Sequence, residues 1–342
     1  MNNSKTIYWI NAAKAISIIA VYFIHTQLCY ECMLDCIDRF VYTWYVNAFF
    51  FVSGYLLFWK QLTSPKIDEN RNIYITSGGR SLFQNIVFRI VIPSIIFSTI
   101  EFVPSCIIQG RGIDIGFALF KTIGGGTYWF TSALVVSELI LLGLFCTRER
   151  NIWFYAAISL LLGVVGLMVV KFEVFQNGIW AWRQGVIALI YLAIGGLYWR
   201  YEKHIDKLKK WCFALPLSVI YVFFILFCKN NNPLISTLQI QPFGFLTSTI
   251  ACLLLVWLCK MLPEMKYLIF IGRNTIGFYF MSGALPVVLS LFVHKFLSVQ
   301  SQIGFLLVFV GSFVIGLCAV YLMNRFVPWL FDLRVLWKKQ EK

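Results

Sequence analysis

Charged residues are scarce in this chain, and that scarcity excludes most classes of soluble protein. Only 13% of the 342 residues are Asp, Glu, Lys or Arg, whereas a soluble domain usually has about 25%. Apolar residues make up 60% of the chain, and its mean hydropathy is +0.78. Soluble enzymes, disordered chains and coiled coils do not have this composition. The sequence therefore predicts an all-α, polytopic integral membrane protein embedded in a lipid bilayer.

Acidic residues are scarcer than basic ones: the chain has 15 Asp and Glu and 29 Lys and Arg, which gives a net charge of +14. In a soluble domain that excess would favour nucleic-acid binding. In membrane proteins, however, Lys and Arg collect in the cytoplasmic loops. The chain also lacks a basic and aromatic recognition segment, low-complexity tracts and internal repeats. We therefore expect no nucleic-acid partner.

Apolar runs divide the chain into ten segments, most of them close to the roughly 20 residues that cross a bilayer. With the N-terminus inside, most Lys and Arg between the segments face the cytoplasm, which is the distribution expected of membrane proteins. We therefore predict ten transmembrane helices, both termini in the cytoplasm, and one transmembrane domain over 1–342 with no separate soluble domain. The segments are 8–28, 42–59, 82–107, 128–146, 152–170, 180–199, 211–228, 242–260, 267–293 and 303–325.

Three cysteines, Cys29, Cys32 and Cys36, follow the first segment closely. No nearby His and no second Cys pair completes a tetrahedral metal site, so we expect no metal there. The three are predicted to be unligated, with one disulfide among them as the alternative.

The first segment contains two residues that are costly in hydrocarbon, Lys14 and His25. A charged residue at the centre of a membrane helix costs about 2.5–3.5 kcal/mol on insertion scales, so each is a functional candidate. Eleven residues of helix turn by three turns plus about 20° and rise about 16 Å, which places both side chains on one face. The alternatives are that Lys14 extends to the cytoplasmic interface and that His25 faces the outer headgroups.

Other segments also contain polar residues. Together with Lys14 and His25 these residues are expected to form a column, with the cations towards the cytoplasm and the His25 imidazole further out. A basic inner mouth suits the phosphates of a donor such as acyl-coenzyme A, and imidazole suits proton transfer near neutral pH. Trp129 belongs to an aromatic trio that is also typical of an interfacial belt, and the Ser53–Gly54 pair permits close approach of a helix or a ligand. The remaining candidates are Arg89, Glu101, Glu138, Arg183, Arg273, Asn274 and Tyr279.

Five short motifs, in order along the chain, resemble those of the acyltransferase 3 family of polytopic membrane acyltransferases. They are Lys14-x10-His25, FFFVSGY in the second segment, FRIVIP with Arg89 and Pro93, TYWFTSAL at the fourth segment, and GRNTIGFY ending at Tyr279. The chain departs from the family at two points. Lys14 stands where Arg is frequent, which keeps the charge but loses a bidentate grip on phosphate. The family often has a His after Tyr279, where this chain has Phe280, Met281 and Ser282.

The resemblance implies transfer of an acyl group, usually acetyl, from a cytoplasmic acyl-CoA to a hydroxyl of an exported or lipid-linked glycan. It implies a bacterial cytoplasmic (inner) membrane protein with His25 as the catalytic residue. Acyl-CoA would be the donor substrate, with no permanently bound cofactor, and a homo-oligomer is an open alternative. An exporter of a glycan or a small anion that uses the same column is the competing hypothesis.

Within this hypothesis each candidate has an expected role. Glu101 or Glu138 would orient His25, because a catalytic base is commonly oriented by a third group. Lys14, Arg89 and Arg273 would bind the donor phosphates, and Ser53 and Gly54 would line the donor passage. Trp129, Arg183, Asn274 and Tyr279 would bind the acceptor.

Overall fold

The computed structural model describes residues 3–30, 35–63, 77–108, 110, 112, 114–147, 151–170, 179–207, 210–227, 242–297 and 301–338. Every regular secondary-structure element in this part of the chain is a helix, so the all-α prediction is confirmed there. The α-helices are α1 (Asn3–Gln27), α2 (Asp35–Tyr42), α3 (Asn47–Thr63), α4 (Ser77–Asn85), α5 (Ile92–Ile108), α6 (Ile115–Lys121), α7 (Trp129–Phe145), α8 (Ile152–Val170), α9 (Trp182–Ile205), α10 (Lys210–Phe227), α11 (Pro242–Met261), α12 (Lys266–Arg273), α13 (Thr275–Ser282), α14 (Ala284–Phe296), α15 (Ser301–Phe326) and α16 (Arg334–Lys338).

Each of the ten predicted segments coincides with helix, but not all of these helices meet the length and hydropathy expected of a membrane span. Among the described residues six helical stretches do, and a bent pair, Thr275–Ser282 with Ala284–Phe296, would make a seventh. Three further apolar helices, at Trp129–Phe145, Ile152–Met168 and Ala214–Phe227, are of 10–17 residues, which is short of the roughly 20 that span hydrocarbon without distortion. An integral membrane protein is therefore supported, whereas the number ten and the inward orientation of both termini stay predictions.

The ninth predicted segment contains breaks that the hydropathy pattern does not reveal. Residues 267–293 fall on three helices, α12, α13 and α14, and the axes of α13 and α14 differ by 43° at Gly283. In a membrane, backbone that departs from the helix is tolerated only where protein or water satisfies it. The break between α13 and α14 is therefore a candidate functional feature of the fold.

The contacts within the chain group its residues into two compact units. The first contains Met1–Phe49, Leu208–Pro233 and Gln241–Val327. Its α1 packs closely on α12, since a Cβ on Gly272 would lie 2.1 Å from the Asn11 carbonyl oxygen. Near the end of α1, a buried cluster joins Tyr30 to α14 and α15. The members of this cluster are Tyr30, Val293, Phe305 and Val308.

The second unit contains Phe50–Lys207, Leu234–Ile240 and Pro328–Lys342. Here α3 and α9 approach at backbone distance through small residues, as membrane helices often do. A Cβ on Gly54 would lie 2.1 Å from the Leu192 carbonyl oxygen, and one on Gly195 would lie 2.0 Å from that of Phe51. A single turn of π-helix, Ile86–Val91, joins α4 to α5.

The outward faces of several helices are apolar, as lipid contact requires. On α15 the side chains of Ile303, Leu306 and Val310 are about half exposed, at 50%, 59% and 49%. A soluble protein rarely exposes contiguous apolar surface of this kind, so this face is suited to a bilayer.

Candidate functional site

His25, the predicted catalytic residue, lies in the last turn of α1 and contacts the break between α13 and α14. Its ring forms a hydrogen bond with the backbone of Ser282. A Cβ on Gly283 would lie 3.8 Å from the His25 Nδ1 and 3.9 Å from its Cε1, which is ordinary van der Waals distance. The break therefore supplies a backbone partner that fixes one edge of the imidazole ring.

The last family motif, Gly272–Tyr279, packs on the helix that bears Lys14 and His25. The Tyr22 hydroxyl of α1 donates to the Phe278 carbonyl at 3.1 Å, and Gly272 allows the close contact with α1 described above. The first and last motifs, widely separated in sequence, therefore meet in the first unit.

The other candidates of the first unit differ in exposure. Lys14 is half-buried, Tyr279 is buried and Arg273 is exposed. Asn274 accepts a hydrogen bond from the Asn324 amide at 3.0 Å and donates to the Phe270 carbonyl at 2.8 Å. Asn274 therefore ties α12 to α15, a contact that explains its presence without a ligand.

In the second unit the structure brings together two residues that were predicted separately. Glu138, buried on α7, forms a side-chain hydrogen bond with Ser53 of α3. The neighbouring Gly54 packs directly against the backbone of Leu192 on α9. That contact accounts for the glycine by helix packing, and the role of Gly54 in a donor passage stays a prediction.

Arg89 lies on the π-helical turn and takes part in a cluster that the sequence did not indicate. Its Nε is 3.7 Å from Asp332 Oδ2, and Arg334 donates two hydrogen bonds to the Asp332 carboxylate at 2.8 and 2.7 Å. Lys60 is close enough to interact electrostatically with Arg334. Two guanidinium groups therefore share one carboxylate, with the Lys60 ammonium near Arg334, and the cluster carries a net positive charge.

The electrostatics of this cluster act on Asp332. Burial raises the pKa of its carboxyl, but hydrogen bonds from Arg334 and the charges of Arg334 and Arg89 outweigh that effect, so the pKa lies below its ordinary value. The same hydrogen bond raises the pKa of Arg334. Asp332 therefore stays ionised and orients both guanidinium groups.

Glu101 and Trp129 lie near the junction of α5, α6 and α7. The Tyr128 hydroxyl donates to Glu101 Oε2 at 2.6 Å, and Trp129 follows as the first residue of α7, with its ring 6.3 Å from that of Phe130. Arg183 is buried at the start of α9, directly after a strained turn in which Trp180 and Ala181 have φ values of 59° and 45°. Positive φ is unfavourable for residues with a side chain and often accompanies function.

The predicted site residues divide between the two units. The first contains Lys14, His25, Arg273, Asn274 and Tyr279, and the second contains Ser53, Gly54, Arg89, Glu101, Trp129, Glu138 and Arg183. The expected pairing of Glu101 or Glu138 with His25 would join the two units, and it stays a prediction.

The cysteine cluster is described only in part. Cys29 is a free thiol whose Sγ lies 3.6 Å from the His25 carbonyl oxygen. Cys32 lies outside the described residues, and Cys36 lies on α2 with a side chain outside them. Among the described residues, His, Cys, Asp and Glu form no group of three that could hold a metal.

A family model described as an acyltransferase domain matches residues 7–325, from the first turns of α1 to the last turn of α15. No curated protein and no solved structure matches the chain. Because the match covers nearly the whole chain, this protein belongs to the acyltransferase 3 family. Together with its apolar helices, that membership makes it a membrane acyltransferase.

Proposed function

We propose that this protein transfers an acyl group, acetyl in the simplest case, from cytoplasmic acyl-CoA to a hydroxyl of an exported or lipid-linked glycan. The observation that carries the proposal is the position of His25, whose ring contacts the helix break at Ser282 and Gly283. A broken helix inside a membrane protein gives backbone groups and space for a ligand. The family match to an acyltransferase domain supplies the reaction class.

His25 can act in two ways, and both balance chemically. As a general base it takes the proton of the acceptor hydroxyl while the oxygen attacks the thioester carbonyl, so that a C–O bond forms and the C–S bond breaks. The coenzyme A thiolate then receives the proton from the imidazolium. As a nucleophile an imidazole nitrogen first attacks the thioester carbonyl, so that a C–N bond forms and the C–S bond breaks with release of the coenzyme A thiolate. The acceptor hydroxyl then attacks the acyl-imidazole, a C–O bond forms, the C–N bond breaks, and the hydroxyl proton passes through the ring to the thiolate. In either case one ring nitrogen must present its lone pair to the substrate. The hydrogen bond to the Ser282 backbone uses one ring nitrogen and leaves the second available.

The donor phosphates require cations, and two groups of cations supply them in this proposal. Lys14 lies on α1 about 16 Å from His25 along the helix axis. Arg89 and Arg334 are held by Asp332 with Lys60 nearby. Guanidinium groups bind phosphate through paired hydrogen bonds. Lys60 and Arg334 therefore join the expected donor residues, and the exposed Arg273 is retained as one of them.

Membrane placement follows from the same proposal. Acyl-CoA is cytoplasmic, so the Arg89 cluster should face the cytoplasm, as the Lys and Arg distribution predicts. The expected location is a bacterial cytoplasmic membrane.

A transporter is the second candidate, because broken helices near mid-depth are typical of transport proteins. The bend at Gly283 is the observation that favours it. In such transporters, however, broken helices recur in paired repeats, and the sequence shows no internal repeat.

Release of coenzyme A by the purified protein distinguishes the two candidates. Protein in detergent is incubated with acetyl-CoA and a glycan extract of its host, and free thiol is measured with and without the extract. An acyltransferase releases thiol only when acceptor is present and adds an acetyl mass to the glycan. A transporter leaves the thioester intact but moves labelled glycan across a liposome membrane, a result that would overturn the proposal.

A further inference from the structure

A cavity of about 270 Å³ lies in the second unit, where the last turns of α5 meet α6. Its walls combine two opposite charges, two hydroxyl groups and two aromatic rings, a mixture that neither simple helix packing nor lipid contact requires. The residues that carry the argument are Glu101, Phe102, Ser105, Phe117, Lys121 and Thr127.

The two charged side chains of the cavity are only partly engaged within the protein. Glu101 accepts one hydrogen bond, from Tyr128 to Oε2 at 2.6 Å, whereas a carboxylate accepts about four. The Lys121 ammonium interacts electrostatically with Glu101 and is 3.5 Å from the Gly126 carbonyl. Both groups therefore have capacity for a ligand that donates and accepts hydrogen bonds.

The aromatic side chains add an apolar wall beside these charges. The Phe102 and Phe117 ring centroids are 6.1 Å apart, and the Lys121 Nζ lies 5.5 Å from the centroid of the Phe117 ring. A sugar ring has hydroxyls at its edge and C–H groups on its faces. A cavity with polar groups beside aromatic faces matches both parts of such a ring.

Hydrogen bonds fix the wall that bears Lys121. The Thr127 amide and hydroxyl both donate to the Lys121 carbonyl, at 3.1 and 2.9 Å. The Trp180 amide of the strained turn donates to the Gly124 carbonyl at 2.8 Å. The glycine-rich turn is therefore held between α6 and α9, and a wall held in this way is organised before a ligand binds.

The charges of the cavity indicate the kind of ligand it takes. Glu101 and Lys121 together give no net charge, and the carboxylate disfavours phosphates, so the cavity suits a neutral molecule rather than the donor. The cavity volume is slightly below the roughly 300–1,000 Å³ of sites for drug-sized ligands. The cavity therefore suits a ligand as small as a single sugar ring.

We propose that this cavity binds one neutral, polyhydroxylated ring of the acceptor, with Glu101 and Lys121 as its polar contacts. The inference rests on the proposed function, because it gives the acceptor a place. Glu101 is twelve residues beyond Arg89, about 18 Å along the helix. In this proposal the acceptor ring and the donor phosphates are therefore held roughly 18 Å apart along the helical stretch Gly79–Ile107.

Thermal unfolding of the purified protein tests the proposal with methyl glycosides of glucose, galactose, mannose and rhamnose as probes. At least one glycoside should raise the midpoint, and glucose 6-phosphate should bind no more tightly than the neutral probes. Glu101→Gln and Lys121→Met should each weaken binding by about tenfold or more, as expected when a hydrogen bond to a charged group is lost. Ser105→Met, which fills the cavity and keeps both charges, should also weaken it.

Matched controls exist elsewhere in the chain. Glu202→Gln changes another Tyr–Glu pair, in which the Tyr55 hydroxyl donates at 2.5 Å. Lys295→Met changes another Lys–Phe contact, with the ammonium 5.5 Å from the Phe296 ring centroid. Neither residue lines the cavity, so both variants should bind the glycoside as the parent does.

The outcomes for the cavity and for the proposed function are distinguishable. Equal weakening by Glu202→Gln or Lys295→Met, or no stabilisation of the parent by any glycoside, would overturn the cavity proposal. Acetyl transfer with an unchanged acceptor KM in Glu101→Gln and Lys121→Met would overturn it while the proposed function stands. Glycoside binding that depends on Glu101, in a protein that never consumes acetyl-CoA, would support the sugar site and refute acyl transfer.

Discussion

Replacing Gly54 by Ala tests whether this glycine serves helix packing or a donor passage. The added Cβ would lie 2.1, 2.5 and 2.6 Å from the oxygen, Cα and carbonyl carbon of Leu192. All three are backbone atoms, so no side-chain rotation relieves the contact. The facing Gly195 cannot move closer to α3 to relieve the contact, because its own Cβ position is 2.0 Å from the Phe51 carbonyl oxygen.

The magnitude follows from these distances. Non-bonded carbon atoms prefer about 3.5–4.0 Å, so α3 and α9 must separate by roughly 1 Å or more. Overpacking of this kind costs about 1–3 kcal/mol, and the better helix propensity of Ala returns only about 0.5–1 kcal/mol. We therefore expect Gly54→Ala to lose up to about 2.5 kcal/mol of unfolding free energy.

Gly143 on α7 provides the matched control, because nothing lies within 4 Å of its Cβ position. Gly143→Ala should be neutral or gain about 0.5–1 kcal/mol. The assay is the thermal unfolding midpoint in detergent, together with the Kd for acetyl-CoA. A Gly54→Ala protein as stable as Gly143→Ala would refute the packing argument. If such a protein also bound acetyl-CoA more weakly, the passage role would be favoured instead.

Three further predictions concern donor binding, pH and topology. Lys14→Ala and Arg89→Ala should each weaken acetyl-CoA binding by about tenfold or more, because a charge-assisted hydrogen bond contributes about 1.5–3 kcal/mol; calorimetry showing unchanged Kd values in both would remove them from the donor site. The lowered pKa of Asp332 means that its stabilising effect is present above the ordinary Asp pKa and is lost as the pH falls through the lowered value. The midpoint difference between parent and Asp332→Asn should therefore vanish in acid, and a difference independent of pH would contradict the ion-pair explanation. Reporter fusions at Lys207 should lie in the cytoplasm and those at Asn231 outside, and the reverse result would overturn the predicted orientation.

Hydropathy predicted the helices well, because burial in lipid imposes long apolar runs. The segment 303–325 matches Ser301–Phe326, and 8–28 matches most of Asn3–Gln27. The break at Gly283 was missed, since Gly and Ser within an apolar run are equally compatible with a straight membrane helix. The π-helical turn around Arg89 was missed for the same reason: its sequence, IVFRIV, keeps the apolar pattern.

The sequence indicates candidate site residues, which stay predictions, but not the partners that the structure places beside them. Helix periodicity placed Lys14 and His25 on one face, because both lie on α1. Asp332 and Arg334 beside Arg89 could not be predicted, since a contact between residues so far apart in sequence depends on how the helices pack. The interaction of Lys121 with Glu101 could not be predicted either, because nothing in the local sequence places the two side chains together.

The role of His25 is tested most directly by acyl transfer and donor affinity in folded His25→Gln and His25→Ala. The chain has two other histidines, and His294→Gln and His204→Gln are the matched controls, since both residues are exposed. Removal of a general base lowers turnover by about 10²–10⁴-fold, while acetyl-CoA binding should survive because the phosphates are held elsewhere. Loss of transfer confined to the His25 variants, with the donor Kd retained, is the predicted result. Transfer within a few-fold of the parent in both His25 variants would contradict catalysis at His25 and the proposed mechanism with it.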